Sequence, residues 1–418
     1  MSNDTQPEIR FPGFTEAWEQ RKLGEIAQKV SVGIATSSSE YFTDKETGVP
    51  FVKNQNVKEN WIDDSDLEFI THEFDEANRN KRLKTGDILT VRTGYPGLSA
   101  VVPSHLEGAQ TFTTLITRLK QETALPEYVS AFINSDAGMK QITGMEAGGA
   151  QKNVNAGILQ NLLIDLPSLA EQKAISDCTK LFDTTITLQQ RKLDLLKETK
   201  KGFLQKMFPK NGAKVPEVRF PGFTEDWEER KLGDMMDVTS VKRIHQSDWT
   251  NSGIRFLRAR DIVSAAKNEE PSDYLYISEE KYNEYSKISG KVSQGDLLVT
   301  GVGSIGVPLL ITDDNPIYFK DGNIIWFKNE HKIDGNFFYY SFINNKIQKY
   351  IRDVAGIGTV GTYTIDSGKK TPISLPTYDE QIKIGSFFKQ FDHTIMLHQH
   401  ELDLLKETKK GFLQKMFV

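Results

Sequence analysis

The sequence predicts a mixed α/β protein built twice, as two tandem globular domains that are each followed by a long helix. Two repeated motifs carry this prediction. RFPGFTEAWEQRKLG (10–24) returns as RFPGFTEDWEERKLG (219–233), and LDLLKETKKGFLQKMF (193–208) returns without a change at 402–417. Each second copy lies 209 residues after the first, so the two halves match in length and form a pseudo-twofold internal repeat.

The repeat sets the expected domain boundaries. We predict a first domain at 1–167, its helix at 168–208, a linker at 209–218, a second domain at 219–376 and its helix at 377–418. Between the motifs, similarity survives mainly at glycines and apolar positions. Near-identical ends indicate a task performed twice, whereas diverged middles indicate one fold used for two different tasks.

The composition is that of a globular protein, with 38% apolar and 26% charged residues among 418, enough for two cores. The opening MSNDTQPEIR lacks the apolar stretch of a secretion signal, and no later run has the length of a membrane span. Cys178 is the single cysteine, which excludes a disulfide framework. We therefore expect a soluble cytoplasmic chain. The net charge of −5 argues only mildly against nucleic acid as a ligand, because a basic groove can lie on an acidic protein.

Short β-rich runs bounded by glycine, proline and polar turns fill each domain. In the first domain these are VPFVKNQNV (49–57), GDILTVRTG (86–94), LSAVVP (98–103) and TLITRL (114–119). In the second they are IRFLRARDIV (254–263), GDLLVTGVG (295–303), VPLLIT (307–312) and NIIWFK (323–328). Helices are predicted to begin after Thr71 and Ser278, which suit N-caps because acidic residues follow them. Further helices are predicted at 127–142 and 335–351.

The helix after each domain carries a heptad pattern typical of a coiled coil. In the first helix it runs through Ile175, Phe182, Gln189, Leu196 and Phe203, and in the second through Ile384, Phe391, His398, Leu405 and Phe412. We predict that the two helices pair as an antiparallel coiled coil; packing of each helix on its own domain is the alternative. About 38 residues at about 1.5 Å each give a rod of roughly 57 Å, or at most roughly 17 base pairs of DNA. A rod of that length would suit two DNA-reading domains at its opposite ends, which contact two short sequences separated by bases that are not read.

The ordered set of motifs resembles one known family. The opening FPGFTEAWEQRKLGE, the GDIL run with its glycines, the LP…EQ…I helix start and the KETKKGFLQKMF helix end are similar to those of the specificity subunits of type I restriction–modification systems. The resemblance covers essentially the whole chain, in both halves and in the same order. It implies two target recognition domains, each of which reads one half of a split site in double-stranded DNA.

The same resemblance implies partner subunits. Two modification subunits, which bind S-adenosylmethionine and methylate adenine, would dock on the two helices, and two restriction subunits that cleave DNA with ATP and Mg would join the complex. None of this chemistry would belong to this chain, which is expected to be non-catalytic and to hold no cofactor and no metal. The docking residues predicted on the helices are Leu196, Phe203, Met207, Leu405, Phe412 and Met416.

Two other classes of function stay open from the sequence: a self-contained methyltransferase or nuclease with its own target recognition, and a repeat scaffold that binds proteins. The motifs of the enzyme class are incomplete. The G-x-G-x-x-G run at Gly301–Gly306 is followed by a strand-like segment rather than a helix, and Asn315–Tyr318 lacks the second proline of an adenine methyltransferase motif. The second half contains a nuclease-like set, Asp273, Glu279 and Lys281, and a group of histidines, His393, His398 and His400. The first half has no equivalent of either. The scaffold class does not explain why polar loops diverge.

Candidate base contacts lie in the diverged middles, because Arg, Lys, Asn and Gln read base edges through paired hydrogen bonds. In the first domain we predict three clusters, which are Lys53, Asn54, Gln55 and Asn56; Arg92, Thr93 and Tyr95; and Gln151, Lys152 and Asn153. In the second domain the candidates are Arg258, Arg260, Ser304 and Lys320. The alternative for each residue is an ordinary loop position or a phosphate contact.

Overall fold

The chain forms two compact units in a computed structural model, which describes residues 7–120, 122–145, 153–210, 212–356 and 361–417. The first unit is Met1–Gln190 together with His400–Val418, and the second is Arg191–Gln399. Each unit therefore holds one globular domain together with the end of the long helix that follows the other domain.

The first unit contains strands and short helices in alternation. Its described strands are β1 (Glu19–Lys22), β2 (Ala27–Val32), β3 (Phe42–Thr43), β4 (Val49–Val52), β5 (Val57–Lys58), β6 (Trp61–Ile62), β7 (Glu68–Ile70), β8 (Ile88–Thr90), β9 (Ser99–Val101), β10 (Gln110–Thr111), β11 (Leu115–Leu119) and β12 (Leu163–Leu166). Its described helices are α1 (Leu23–Ile26), α2 (His72–Ala77), α3 (Pro126–Asn134), α4 (Asp136–Met145), α5 (Ala156–Gln160) and α6 (Leu169–Lys206), of which the part from Arg191 belongs to the second unit. Single 3-10 turns lie at Ser39–Tyr41, Asn54–Asn56, Arg79–Lys81 and Ser104–Leu106.

Two four-stranded sheets form the body of the first unit. One has the order β2-β11-β8-β9 with antiparallel neighbours, and the other has the order β10-β4-β7-β3, in which β10 and β4 are parallel. Neighbouring residues of β8 face different apolar clusters: Ile88 packs with Trp18, whereas Leu89 packs with Val52. Because this strand is buried on both faces, GDILTV has a continuous apolar run instead of an alternating pattern.

The second unit repeats this plan. Its described strands are β13 (Glu228–Lys231), β14 (Asp237–Thr239), β15 (Trp249–Thr250), β16 (Ile254–Leu257), β17 (Leu275–Ile277), β18 (Leu297–Thr300), β19 (Pro308–Leu310), β20 (Ile317–Phe319), β21 (Ile324–Lys328) and β22 (Pro372–Leu375). Its described helices are α7 (Leu232–Met235), α8 (Ala259–Ala266), α9 (Glu279–Ser289), α10 (Gly335–Ile343), α11 (Asn345–Ala355), α12 (Ile365–Lys370) and α13 (Tyr378–Met416), and a 3-10 turn lies at Gln246–Asp248. The sheets have the orders β14-β21-β18-β19 and β15-β17-β16-β20, again with one parallel pair, β16 and β20.

The repeated N-terminal motif closes each domain onto its own helix. Strand β1 pairs antiparallel with β12, and β13 pairs antiparallel with β22 in the equivalent register. Arg10 binds the buried Glu171 through two hydrogen bonds, Nε to Oε1 at 2.6 Å and NH2 to Oε2 at 2.8 Å, and Arg219 binds Glu380 in the same way at 2.7 Å for both bonds. A bidentate pair of this kind fixes both distance and orientation. The conservation of this motif between the halves therefore has a structural cause.

In the first unit, α6 pairs with the last turns of α13. The rings of Phe182 and Phe412 have centroids 5.8 Å apart. The next residue of α6, Asp183, accepts a hydrogen bond from Lys409 at 2.7 Å. Lys409 lies three positions before Phe412 in α13. Contacts that advance on one helix and retreat on the other define an antiparallel pair.

The second unit contains the equivalent pairing, between the end of α6 and the start of α13. Phe203 lies with its ring centroid 5.9 Å from that of Phe391, and Lys200 forms an ion pair with Asp392. The prediction of antiparallel helix pairing is therefore confirmed within each unit.

The last residues of each long helix complete a core of the unit in which they lie. In the first unit, Phe417 directly after α13 packs its ring 5.5 Å from Tyr128 and 5.6 Å from Phe132. In the second, Phe208 after α6 packs its ring 5.6 Å from Phe337. The alternative, in which each helix packs wholly on the domain that it follows, is wrong for these ends.

Among the local helix predictions, two helix starts were correct and two helix lengths were wrong. Thr71 and Ser278 are N-caps, since their hydroxyl oxygens accept backbone N–H groups at 3.4 and 3.2 Å, and these predictions are confirmed. The unbroken helices predicted at 127–142 and 335–351 are wrong. Extended residues end α3 and α10, and their side chains cap the helices that follow: Ser135 Oγ and Asn344 Oδ1 accept N–H groups at 3.2 and 3.1 Å.

The predicted strand at 254–263 is correct only as far as Leu257. Helix α8 begins directly afterwards because Asp261 accepts the backbone N–H of Arg258 at 2.7 Å and so supplies an N-terminal cap. In the first unit Asn56 performs the same task, since its Oδ1 accepts the N–H of Lys53 at 2.9 Å, but only a single 3-10 turn results.

Candidate nucleic-acid interface

Three segments predicted from the sequence converge on one surface of the first unit. Asn54 Nδ2 lies 3.5 Å from Thr93 Oγ1, which joins the loop after β4 to the turn after β8. The backbone N–H of Val154 donates to the carbonyl of Arg92 at 3.1 Å, which brings the segment before α5 to the same turn. The exposed candidates on these segments are Gln55, Thr93, Tyr95 and Asn153. Gln151 and Lys152 lie outside the described residues.

Two of the four residues in the loop after β4 stabilise the loop itself. Asn56 is 4% exposed, and its Nδ2 donates to the carbonyls of Asp63 at 3.2 Å and Asp66 at 3.3 Å. Its side chain is thus buried and committed to hydrogen bonds within the chain, so the prediction that Asn56 contacts DNA is corrected. Lys53 forms an ion pair with Glu68, and its side chain is about a quarter exposed. A partly exposed pair can still open toward a phosphate, because its net stabilisation is small.

The turn between β8 and β9 is held by its glycines. Gly94 has φ +90° and Gly97 has φ +96°, a region that residues with a side chain rarely adopt. A Cβ atom on Gly97 would also lie 2.7 Å from the sulfur of Met139. Between these glycines the side chain of Tyr95 is 79% exposed. The backbone therefore presents this ring to solvent.

The second unit builds the equivalent surface from different residues. The N–H of Tyr363 donates to the carbonyl of Gly301 at 2.8 Å, and these two residues lie 209 positions after Val154 and Arg92. Ser304 is exposed on the turn after β18, at the position of Tyr95. Lys320 is half-buried, and its N–H donates to the carbonyl of Leu257, directly before Arg258. The four second-domain candidates are thus distributed over two segments and one turn, as in the first unit.

Arg258 does not present a free guanidinium in this surface. Its Nε and NH2 bind both carboxylate oxygens of Asp261 at 2.9 Å, and its NH1 binds Asp273 at 2.8 Å. The hydrogen bond with Asp261 raises the pKa of Arg258 above its ordinary value. With its side chain 13% exposed, this arginine stabilises the start of α8, and the prediction that it reads bases is corrected.

The guanidinium of Arg260 is free to contact DNA in a way that the guanidinium of Arg258 is not. Its side chain is 58% exposed, and its contact with Asp273 is an exposed ion pair, which contributes little stability and can exchange for a phosphate. Sequence reasoning missed Thr362, an exposed residue directly before Tyr363. Applying the 209-residue offset to Asn153 identifies this position.

Four of the six predicted docking residues pack within their own unit. Met207 is 3% exposed and Met416 1% exposed, each in an apolar core. Phe203 packs against the core of the second unit, which contains Met207, and Phe412 packs against the core of the first unit, which contains Met416. Burial accounts for the apolar character of the two methionines, so their assignment to a docking surface is corrected. Leu196 and Leu405 are half-buried.

Exposed leucines mark another face of each long helix. On α6 the side chains of Leu181, Leu188 and Leu195 are 67%, 59% and 68% exposed. On α13 those of Leu397 and Leu404 are 53% and 56% exposed. Within each helix the spacing is seven residues, which keeps the side chains on one face.

Each helix pair contains one buried or half-buried lysine beside an aspartate. Lys409 is largely buried and binds Glu59 as well as Asp183, and burial raises the pKa of Asp183 above its usual range. In the second unit Asp392 accepts the hydroxyl of Tyr340 at 2.6 Å, and burial together with this hydrogen bond raises the pKa of that tyrosine. These groups join side chains of the same unit and serve its packing.

Two features of the described residues bear on metal and cofactor binding. Among them, no group of three or more His, Cys, Asp or Glu side chains is arranged to hold a metal ion. The glycine run Gly301–Gly306 leads into strand β19 and not into a helix that could hold a pyrophosphate. In the same part of the chain no helix is long and apolar enough to cross a membrane.

Fold and surfaces together define a class of protein: a duplicated chain that presents equivalent backbone frames with different polar side chains. Residues 15–198 and 224–407 each match the family described as the type I restriction modification DNA specificity domain. The chain belongs to this family. It is a specificity subunit, whose function is the recognition of DNA sequence and which is non-catalytic, since the enzymatic activities of type I systems lie in other subunits.

Known proteins of this kind are similar along most of the chain. The type I restriction enzyme MjaVIII specificity subunit of Methanocaldococcus jannaschii is 25% identical over 318 residues, which covers 72% of each chain. The StySPI specificity subunit of Salmonella potsdam is 22% identical over 262 residues, 61% of this chain and 54% of that protein.

Solved structures share the fold. The S subunit of a type I restriction–modification system from M. genitalium superposes with a TM-score of 0.61 at 13% identity, covering 99% of both chains. A chain from a structure on complex assembly and conformational transition of the type I system gives a TM-score of 0.56 at 19% identity, covering 97% of this chain and 98% of that one.

Proposed function

We propose that the chain reads a bipartite site in double-stranded DNA, one half with the surface of each unit. The observation that carries this proposal is a pair of equivalent hydrogen bonds, Val154 to Arg92 and Tyr363 to Gly301, which frame surfaces of different chemistry. Equal frames with unequal side chains suit two sequences recognised in the same geometry. Exposed amide and guanidinium groups read base edges, while lysines favour phosphates.

The positions that differ between the two frames are the proposed specificity determinants. They are Gln55, Arg92, Thr93, Tyr95 and Asn153 in the first unit, and Arg260, Ser304, Lys320 and Thr362 in the second. Asn54 positions the loop that carries Gln55 through its contact with Thr93. Gln151 and Lys152 remain candidates from the sequence.

The long helices are the proposed docking sites for two modification subunits. The exposed leucines support this, because Leu188 and Leu397 are equivalent positions of the repeat, as are Leu195 and Leu404. Two copies of one partner require two copies of one surface. Two restriction subunits would join the assembled complex, S-adenosylmethionine, ATP and Mg would bind to the partner subunits, and the complex would act in the cytoplasm.

Mapping of N6-methyladenine tests the reading function. A host that carries the cognate modification subunit is compared with and without this chain, and a split motif should be methylated on both strands only when the chain is present. The combined change Gln55→Ala and Asn153→Ala should then relax or abolish one half of the motif. The combined change Arg260→Ala and Thr362→Ala should affect only the other half. A motif that is unchanged in both variants, or altered in both halves by either one, contradicts the proposal.

Affinity co-purification tests the docking face. The changes Leu188→Asp and Leu397→Asp together should strongly reduce recovery of the modification subunit, because charged side chains oppose burial of this apolar face. The control Leu181→Gln copies Gln390, the residue at the equivalent position of the second helix, and should leave recovery intact. Full recovery with both aspartates present places the docking face elsewhere.

A further inference from the structure

One exposed aromatic side chain on the proposed surface of the first unit is not explained by hydrogen-bond readout. Tyr95 lies at the tip of the turn between β8 and β9, and its side chain is 79% exposed. The turn is tight, since Gly97 N–H donates to the carbonyl of Val91 at 2.9 Å and Leu98 N–H donates to that of Tyr95 at 3.3 Å. Pro96 follows directly and restricts the backbone further. The ring is therefore presented by a constrained backbone and not by a flexible loop.

The surroundings of this ring favour a nucleic-acid base over an apolar protein surface as its contact. The exposed residues of the same surface are polar: Thr93 beside Tyr95, Gln55 on the loop that Asn54 joins to this turn, and Asn153 on the segment paired with Arg92. A protein-docking patch would need several contiguous apolar residues. A lone aromatic ring among hydrogen-bonding groups suits a base, which offers a π face beside polar edges.

The second unit supplies an internal comparison. Its equivalent turn has the same glycine frame, with Gly303 at φ +71° and Gly306 at φ +78°. At the tip stands Ser304, which is exposed and has no ring. The difference between the two tips is thus one aromatic side chain on an otherwise equivalent turn.

We propose that Tyr95 acts as a stacking wedge, which inserts its ring against a base step of the half-site read by the first unit and partly unstacks that step. Ser304 contacts its half-site without disturbing the stack, so the two halves of the site are read by different means. Side chains that enter a base step kink or unstack DNA and favour steps that deform easily, which adds sequence preference without hydrogen bonds. This inference rests on the proposed function and assigns a mechanism to one residue of it.

The test uses the complex of this chain with its cognate modification subunits and duplexes that carry the mapped motif. Single 2-aminopurine bases, which pair with thymine as adenine does, replace adenines on either strand within and beside both half-sites, except the adenines that become methylated, because methyltransferases flip their target base. Fluorescence should rise on binding at one or two adjacent positions in the half-site of the first unit. It should not rise in the half-site of the second unit.

Variants isolate the ring from the fold. Tyr95→Ser, which copies the second unit, and Tyr95→Ala should abolish the fluorescence rise and weaken binding about tenfold, the size of one lost stacking contact. Tyr95→Phe should retain both, because the ring and not the hydroxyl is required. Ser304→Ala alters the contact with the other half-site, so at saturating complex it should leave the rise in the first half-site unchanged even if overall binding weakens. Because Tyr95 is exposed, thermal unfolding of its variants should equal that of the wild type, and Tyr95→Phe reports on the ring in a conservative background.

The outcomes separate this inference from the proposal beneath it. Tight binding of the motif without a fluorescence rise in the first half-site, or a rise that persists in Tyr95→Ala, overturns the wedge and leaves bipartite reading intact. Equal binding to motif and scrambled duplexes overturns the proposed function, and the wedge with it.

Discussion

Replacing Phe417 by alanine should loosen the first unit specifically, although this residue directly follows helix α13, which comes after the second domain. Its side chain is buried, with the ring 5.5 Å from Tyr128 and 5.6 Å from Phe132. Truncating a core phenylalanine removes about 3–5 kcal/mol of stability. A loss of about 3 kcal/mol corresponds to about a hundredfold faster amide exchange wherever exchange requires opening of this core.

Hydrogen–deuterium exchange read by mass spectrometry measures this effect peptide by peptide. In Phe417→Ala, peptides that cover α3 should exchange about a hundredfold faster, while peptides that cover α10 keep the wild-type rate. Phe208→Ala is the reciprocal variant, because Phe208 packs against Phe337 in α10. It should accelerate exchange in α10 and spare α3. Acceleration of α10 by Phe417→Ala would refute the assignment of each helix end to its core, and so would equal acceleration of both helices by either variant.

Three further predictions test individual side chains. Burial raises the pKa of Asp165, so the native state binds its proton more tightly than the unfolded state does, and wild-type stability should fall as the pH rises from about 4 through that raised pKa. In urea unfolding at a series of pH values, Asp165→Asn should remove this decline. Asn56→Ala should destabilise the first unit by about 1–3 kcal/mol in thermal unfolding because it orphans buried backbone groups, whereas Gln55→Ala on the same loop should have no effect. Gly301→Ala should destabilise the second unit by at least about 1 kcal/mol in the same assay, since its Cβ would lie 2.7 Å from the carbonyl oxygen of Tyr363.

Each of these three has a clear contrary result. An unchanged pH profile in Asp165→Asn would show that the carboxyl does not titrate within the fold as described. Equal unfolding temperatures for Asn56→Ala and Gln55→Ala would return Asn56 to the set of candidate base contacts. A Gly301→Ala variant as stable as the wild type would show that the segment of Tyr363 can retreat.

The repeat made long-range structure predictable where single motifs could not. A fixed offset of 209 residues relates Arg10–Glu171 to Arg219–Glu380, so one ion pair found in either half predicts the other. Helix starts could also be predicted from the sequence, because an N-cap needs only a hydroxyl and the backbone N–H three residues later, and these two groups are close in sequence. Thr71 is an example.

The helix breaks at Ser135 and Asn344 could not be predicted from the pattern. Apolar residues continue beyond each break, and Ile142 and Ile351 are buried in their cores. The periodic pattern therefore persists while the backbone is interrupted by a capping side chain. Only the polar residue itself was a signal, and Ser and Asn are also tolerated inside helices.

The roles of polar loop residues were the least predictable part of the site. Arg258 suits a base contact by type, but Asp261 binds its Nε and NH2, and Asp273, 15 residues further along the chain, binds its NH1. No rule of local spacing predicts the contact with Asp273. The sequence also did not predict which apolar residues of the long helices are buried. Leu188 on α6 is exposed, whereas Met207 directly after α6 is buried, although both are apolar.

Packing within the chain does not by itself explain the identity of the two helix ends. Phe417 contacts Tyr128 and Phe132, whereas Phe208 contacts Phe337 and Phe388, so identical ends fill cores of different composition. Different cores alone would permit the ends to diverge, as the middles of the two halves have done. Within the identical segments, Leu195 and its counterpart are exposed and therefore free of any constraint from these cores. The proposed docking of two copies of one subunit would constrain these exposed positions equally in both helices.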